Sequence, residues 1–143
     1  MLVSQILKTK GDMVFTASPS ETLSDVARQL NERRVGAVVV VDDKQTVVGI
    51  LSERDIVSAV AEGGGEALQQ TIDCCMTREV IFATPGESVD SLLGRMTDRR
   101  IRHLPVVKDG RLAGIVSIGD LVKWKISEIE AEAGSLKQYI AAG

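Results

Sequence analysis

With 143 residues, 44% hydrophobic and 26% charged, the chain suffices for one compact domain or two small halves sharing a core, and is too apolar to be disordered. Its 17 basic and 20 acidic side chains give a formal charge of −3 and a pI near 5.2, and aromatic residues make up only 3%. Neither a basic face nor base-stacking platforms are on offer, which argues against a nucleic-acid partner.

The start, MLVSQILKTKGD, lacks the apolar stretch and small-residue cleavage site of a signal peptide. No apolar run approaches the roughly 18 residues of a membrane span, the longest being VGAVVVV at Val35–Val41. A cytoplasmic protein with no membrane partner is the expectation. A short strand is expected at Met13–Phe15, followed by a turn at Pro19. Thr22 then stands as N-cap before Leu23, Val26, Ala27 and Leu30, an i, i+3, i+4, i+7 stripe that predicts an amphipathic helix. Two β-rich runs, VGAVVVV and VVGIL, flank the polar turn DDKQT, and a second helix opens at Ser52.

The segment Ala61–Asp73, with Gly63–Gly65 inside it, reads as a connector. Its GGGE follows a helix and precedes no Lys-Ser/Thr, so it is neither a P-loop nor a dinucleotide fingerprint. Cys74 and Cys75 are adjacent, which disfavours a disulfide between them, and without further ligands nearby they make no zinc site. Two reduced thiols are expected, and no metal.

From Val80 the grammar repeats. A strand at Val80–Phe82 leads to Pro85, and Ser88 caps a helix bearing Val89, Leu92, Leu93 and Met96. RHLPVV and LAGIV flank the turn KDGR, and a last helix opens at Ser117. Pro19 pairs with Pro85, Glu21 with Glu87 and Arg33–Arg34 with Arg99–Arg100, all 66 positions apart. GILSERDIV (Gly49–Val57) lies over GIVSIGDLV (Gly114–Val122), identical at five of nine positions and 65 apart, the shorter turn accounting for the difference. The chain is thus a duplicated strand–helix–strand–strand–helix unit. A unit of roughly 60 residues buries too little surface to be stable alone, so two packed by pseudo-twofold symmetry, with matching clefts, are expected.

Two readings of the repeated S-x-x-D stand side by side. Ser52 with Asp55, and Ser117 with Asp120, have the spacing of a helix capping box. The same geometry also serves a ligand: a helix N-terminus offers free N–H groups to a phosphate, and a carboxylate matches two vicinal ribose hydroxyls. Gly49 and Gly114, just before, allow close packing there. His103 beside Arg102 reads first as an ordinary strand-start hydrogen-bonder, and the paired arginines as solvated helix ends.

The G-h-h-S-x-x-D phrase (h, hydrophobic), the h-P-V-V strand before it and the two copies in order resemble a tandem pair of CBS (cystathionine β-synthase) domains, a Bateman module, over about Leu7 to Lys125. The resemblance implies an α+β disc of two βαββα repeats with a C-terminal helix. It implies binding of adenosyl ligands (AMP, ADP, ATP, S-adenosylmethionine or NAD-type dinucleotides, of which AMP is the leading expectation here), regulation instead of catalysis, and a homodimer acting on a protein partner. It also implies composite clefts. One would join Ser52, Arg54 and Asp55 to Arg102, His103 and Leu104, with Met76 and Thr77 at its edge. The other would join Ser117, Gly119 and Asp120 to Val35, Gly36 and Ala37, with Lys10 and Gly11 nearby. The arginines of the first resemble a clamp for several phosphates, and the glycines of the second suit a monophosphate. The first repeat lacks the strand proline. The alternative is a protein-interaction module whose S-x-x-D motifs are only caps.

After Lys125 the tail places Ile126, Ile129, Ala133, Leu136 and Ile140 at spacings of 3, 4, 3 and 4. It either packs back on the module, forms a dimer seam or docks a partner. The expected divisions are repeat 1 at 7–62, a connector at 63–75, repeat 2 at 76–125 and a helical tail at 126–143.

Overall fold

A computed structural model describes residues 1–142. Helix α1 (Val3–Lys10) precedes the first repeat, made of β1 (Thr16–Ala17), α2 (Leu23–Arg33), β2 (Ala37–Val41), β3 (Val47–Ser52) and α3 (Glu53–Gly63). Two 3-10 turns, Gly64–Gln69 and Ile72–Cys74, lead to α4 (Val89–Arg99), β4 (His103–Lys108), β5 (Arg111–Ser117) and α5 (Ile118–Ala142). The fold is α+β, with the sequence order duplicated. Gly143, the end of the expected tail, lies outside the described residues.

Each repeat is built the same way. Thr22 Oγ1 accepts from the Asp25 N–H at 3.2 Å and Ser88 Oγ from the Ser91 N–H at 3.1 Å, so both expected caps form. Behind them Leu23, Val26 and Leu30, and Val89, Leu92 and Met96, are buried as one face of each helix. Both helices end in a left-handed residue, Arg34 at φ 55° and Arg100 at φ 54°. Arg33 lies over the Phe15 ring at 4.2 Å. The matched glutamates close the proline turns: Glu21 accepts from the Ser18 N–H at 2.7 Å, and Glu87 from the Thr84 N–H at 2.8 Å. The Arg95 guanidinium holds the Glu87 carboxyl below its ordinary range. Antiparallel hairpins follow, β2 with β3 and β4 with β5, each broken by one register shift, at Val40/Val41 and Val106/Val107.

The short leading strands differ from expectation. Met13–Phe15 is not a strand, although the Phe15 carbonyl accepts from the Val39 N–H at 3.2 Å; β1 begins at Thr16, just past it, and runs parallel to β2 through Thr16↔Val39 and Ala17↔Val40. Val80–Phe82 forms no strand either, and only Ala83 bridges Val106. The apolar runs misled because the buried residues are the small ones just after them, Ala17 and Ala83, while Met13 and Phe82 are exposed. The Val80 N–H turns back to the Arg78 carbonyl at 3.1 Å, which takes that stretch out of extended geometry.

Packing divides the chain into two units that do not follow the repeat boundaries. One holds Val14–Ile81, the other Met1–Met13 together with Phe82 onward. Each repeat is therefore completed by the segment that leads the other. In the first, the Leu23 N–H donates to the Gln70 carbonyl and the Ile72 N–H to the Glu21 carbonyl, both at 2.9 Å. In the second, the Val89 N–H donates to the Met1 carbonyl at 2.9 Å and the Val3 N–H to the Glu87 carbonyl at 3.0 Å. The same pair of bonds is made twice, and each satisfies an otherwise orphaned helix N-terminal N–H. Ile72 and Met76 join the core of Ala17, Leu23, Val26, Leu30, Val38, Val40 and Leu51. In the other unit Val3 and Ile6 of α1 are fully buried, as are Leu92, Leu104, Val106, Val116 and Leu121. The segment expected as a connector thus carries core residues, each contributing on the order of 1.5–3 kcal/mol by burial.

Candidate functional site

Strand β3 ends on Ser52, whose extended backbone (φ −108°, ψ 165°) turns into α3. Its hydroxyl accepts from the Asp55 N–H at 3.3 Å, while Asp55 Oδ2 accepts from the Ser52 N–H at 3.0 Å and from its hydroxyl at 3.2 Å. This is a reciprocal capping box. The next amide, Glu53 N–H, donates to the Gly36 carbonyl at 2.9 Å, and Ala37 is the register partner of Ser52. Thr77 and Ile50 exchange backbone bonds at 2.9 and 3.0 Å, which lays Met76 across Gly49. A Cβ on Gly49 would stand 2.7 Å from Met76 Sδ and 3.0 Å from the Thr77 carbonyl oxygen. Glycine is required there by close approach.

The second motif repeats this with one addition. Asp120 Oδ2 accepts from the Ser117 N–H at 2.9 Å, and the Asp120 N–H donates to Ser117 Oγ at 3.2 Å. Ile118 N–H donates to the Arg102 carbonyl at 2.8 Å, and His103 is the register partner of Ser117. Leu7 takes the role of Met76: its Cδ2 would lie 2.7 Å from a Cβ on Gly114. The addition is Lys10, at the end of α1. Gly11, at φ +98°, ends that helix, and Lys10 Nζ donates to Asp120 Oδ2 at 2.6 Å and to the Ile115 carbonyl at 2.8 Å. Burial pushes the Asp120 carboxyl up, but the hydrogen bonds from Lys10 and the Ser117 N–H outweigh it and leave the carboxyl below its ordinary value. At Gly119 a Cβ would meet only Ser117 Oγ, at an ordinary 3.6 Å, so no close packing demands glycine there.

A depressed carboxyl adds stability that is fully present above the unfolded value near pH 4 and is lost as pH falls through the folded one. Lys10→Met leaves the burial and removes the cation. The expected result is an Asp120 carboxyl titrating at higher pH, and an acid-unfolding midpoint moved in the same direction. Carboxyl 13C chemical shifts followed against pH measure the first and far-UV circular dichroism the second; unchanged curves would show that Lys10 does not govern this carboxylate.

Within each unit, then, Ser52, Asp55, Met76 and Thr77 come together, as do Ser117, Asp120 and Lys10. Val35, Gly36 and Ala37 belong to the unit of Ser52, and Arg102, His103 and Leu104 to that of Ser117, each leading the strand that pairs with its own repeat's motif. Arg54 is exposed on the first turn of α3. The partners that sequence reasoning missed are Leu7 over Gly114 and the Ile115 carbonyl under Lys10. No local pattern signals either, because both contacts span more than 100 positions. Cys74 and Cys75 are free thiols; burial, then the neighbouring Cys74, pushes Cys75 up to about 11, which favours the protonated thiol at neutral pH. Among the described residues no group of His, Cys, Asp and Glu is placed to hold a metal ion, and no helix is long and apolar enough to cross a membrane.

Two copies of a helix–strand–strand–helix unit, the first led by a short strand and the second by a single bridge at Ala83, each with a G-h-h-S-x-x-D turn from strand to helix, define a CBS-domain pair. The CBS domain profile matches twice, over residues 3–62 and 71–127, and the chain belongs to that family. It is 34% identical to the mitochondrial CBS domain-containing protein CBSX3 of Arabidopsis thaliana, across 99% of this chain and 72% of that one. Among solved structures it is similar to the CBS-domain protein ATU1752 of Agrobacterium tumefaciens, with TM-score 0.84, 43% identity and coverage of 85% and 91% of the two chains. It is also similar to the CBS domain pair of protein MJ0100, determined in complex with 5'-methylthioadenosine and S-adenosylmethionine (TM-score 0.79, 30% identity, coverage of 90% and 98%).

Proposed function

We propose that this chain is a regulatory module that binds adenosyl ligands at its two S-x-x-D helix ends and conveys their presence to a protein partner. The observation that carries the reading is the similarity over 90% of the chain to a CBS pair solved with two adenosyl compounds. The local chemistry supports it: at each site a carboxylate suited to vicinal ribose hydroxyls stands beside a hydroxyl and the first amides of a helix. The two sites select differently. Lys10, 2.6 Å from Asp120, gives the Ser117 site a cation for a phosphorylated ligand, with AMP the leading candidate. The Ser52 site has the Met76 thioether against Gly49 and exposed Arg54 on the first turn of α3, which suits an uncharged or sulfonium adenosyl group as well as a longer phosphate chain. The chain acts as a homodimer and without chemistry of its own, in a reducing compartment such as the cytoplasm, where adjacent free thiols persist.

Thermal melting with AMP, ATP, NAD, S-adenosylmethionine and 5'-methylthioadenosine tests this. A ligand at about 100 times its dissociation constant adds about 2.7 kcal/mol, a rise of several degrees at this size. Asp120→Ala should abolish the AMP shift and leave the shift of a Ser52-site ligand; Asp55→Ala should do the reverse. The reciprocal capping bonds favour one rival, in which the motifs only cap helices. A melting point unmoved by all five ligands would establish that rival.

A further inference from the structure

Lys10 is the last residue of α1, and the helix fixes its place: Val3 and Ile6 are fully buried, and Gly11 at φ +98° ends the helix behind it. The helix dipole favours a cation there. Its ammonium bridges two acceptors, the Ile115 carbonyl at 2.8 Å and Asp120 Oδ2 at 2.6 Å. The carbonyl has no donor within its own hairpin. Ile115 stands opposite Pro105, whose carbonyl is turned away to the Ala83 N–H at 2.9 Å, so the Ile115 carbonyl points off the outer edge of β5. In the other unit the matching carbonyl, on Ile50, takes the Thr77 N–H at 2.9 Å. Lys10 does with a side chain what backbone does there.

The bond to Asp120 fills one side of the carboxylate. Oδ2 accepts from the Ser117 N–H at 2.9 Å as well as from Lys10, so both of its lone pairs are used. A vicinal diol binds a carboxylate with one hydroxyl on each oxygen, so a ribose must take Oδ2 back from Lys10. At the Ser52 site the second donor to Asp55 Oδ2 is the Ser52 hydroxyl at 3.2 Å, a neutral rotor that turns away at little cost. At the Ser117 site it is an ammonium, and hydrogen bonds between charged groups are roughly twice as strong as neutral ones. A nucleoside that displaces Lys10 leaves the ammonium without its anion. A nucleotide brings a second anion, its phosphate, within reach of a flexible four-carbon stem.

We propose that Lys10 is a latch on the Ser117 site: it holds Asp120 closed to unphosphorylated adenosyl compounds and yields the carboxylate to those whose phosphate replaces it as the lysine's anion. The inference rests on the reading of that site as an adenosyl site, and adds what the site refuses. The two sites then answer to different ligands, the Ser117 site to nucleotides alone and the Ser52 site to nucleosides and 5'-methylthioadenosine as well. Because Val3 and Ile6 anchor α1, the change is confined to one side chain and the helix stays in place.

Isothermal titration of the full chain with AMP and with adenosine tests this, in an Asp55→Ala background that silences the Ser52 site and with folding checked by circular dichroism. With Lys10 present, AMP should bind at least about tenfold more tightly than adenosine. Lys10→Met should weaken AMP about tenfold to a hundredfold, the worth of one hydrogen bond between charged groups, and strengthen adenosine about tenfold. Lys10→Gln, which keeps a donor for the Ile115 carbonyl, should move both affinities the same way and guards against a loss of fold in Lys10→Met. Adenosine affinity that matches AMP from the start, or that neither variant raises, overturns the latch and makes Lys10 a phosphate contact only. Weakening of both ligands overturns it too, and makes Lys10 a structural tie between α1 and β5. In these cases AMP binding leaves the adenosyl reading standing. If neither compound binds, with Lys10 or without it, that reading fails at the Ser117 site and the latch falls with it.

Discussion

Ile6→Ala is expected to lower the stability of this chain by about 2–5 kcal/mol, the cost of emptying a fully buried isoleucine site. Ile6 precedes the first repeat in sequence, yet α1 belongs to the unit of the second. The loss should therefore fall on the second repeat. Urea titration gives the size of the effect. Native-state hydrogen exchange gives its place: amides of α4, β4 and β5 should lose protection before those of α2, β2 and β3. The mirror-image variant, Ile72→Ala, removes an equally buried side chain and should reverse the order. If Ile6→Ala instead loosened the first repeat, or cost only a few tenths of a kcal/mol, the exchange of leading segments would not contribute to stability.

Gly49→Val should cost about 1–3 kcal/mol, even though valine suits a strand better than glycine does. The reason is what the new carbons meet. Met76 Sδ at 2.7 Å is the movable part of a flexible side chain, but the Thr77 carbonyl at 3.0 Å is backbone: it accepts from the Ile50 N–H, and the Thr77 N–H donates back to the Ile50 carbonyl. The segment of Met76 and Thr77 must move away or the variant strains. Gly114→Ala makes a control, because its obstruction is the Leu7 Cδ2 methyl at 2.7 Å, which a side-chain rotation relieves. Denaturant midpoints should order as wild type, then Gly114→Ala, then Gly49→Val. Gly49→Val should also weaken any ligand of the Ser52 site, since it displaces the segment beside it. Equal midpoints for all three would mean that Met76–Thr77 swings aside freely.

Much of the architecture was legible in the residues. The duplicated phrase, the proline turns and the two capped stripes define two copies of one unit, because caps, turns and 3.6-residue periodicity are local physics. The capping geometry of Ser52 with Asp55 and of Ser117 with Asp120 was likewise readable from a spacing of three. The glutamates paired 66 positions apart turned out to close the same turn twice.

The failures share a cause. Apolar runs at Met13–Phe15 and Val80–Phe82 suggested strands, but pairing was decided by where β2 and β4 present free edges, which set Ala17 and Ala83 as the buried residues. The segment read as a connector, Ala61–Asp73, holds two core residues, Ala67 and Ile72, whose burial its glycines do not announce.

What the sequence determined by itself is therefore the repeated unit, its helix caps and the identity of the motif residues, all of which depend on neighbours a few positions away. Only the tertiary structure decided which leading segment completes which repeat, that Lys10 neutralises Asp120 while Met76 covers Gly49, and that Ile126, Ile129, Leu136 and Ile140 of α5 are left exposed. Those outcomes depend on contacts between residues far apart in the chain, where the free energy is set by the shape and charge of surfaces that exist only once both sides have folded.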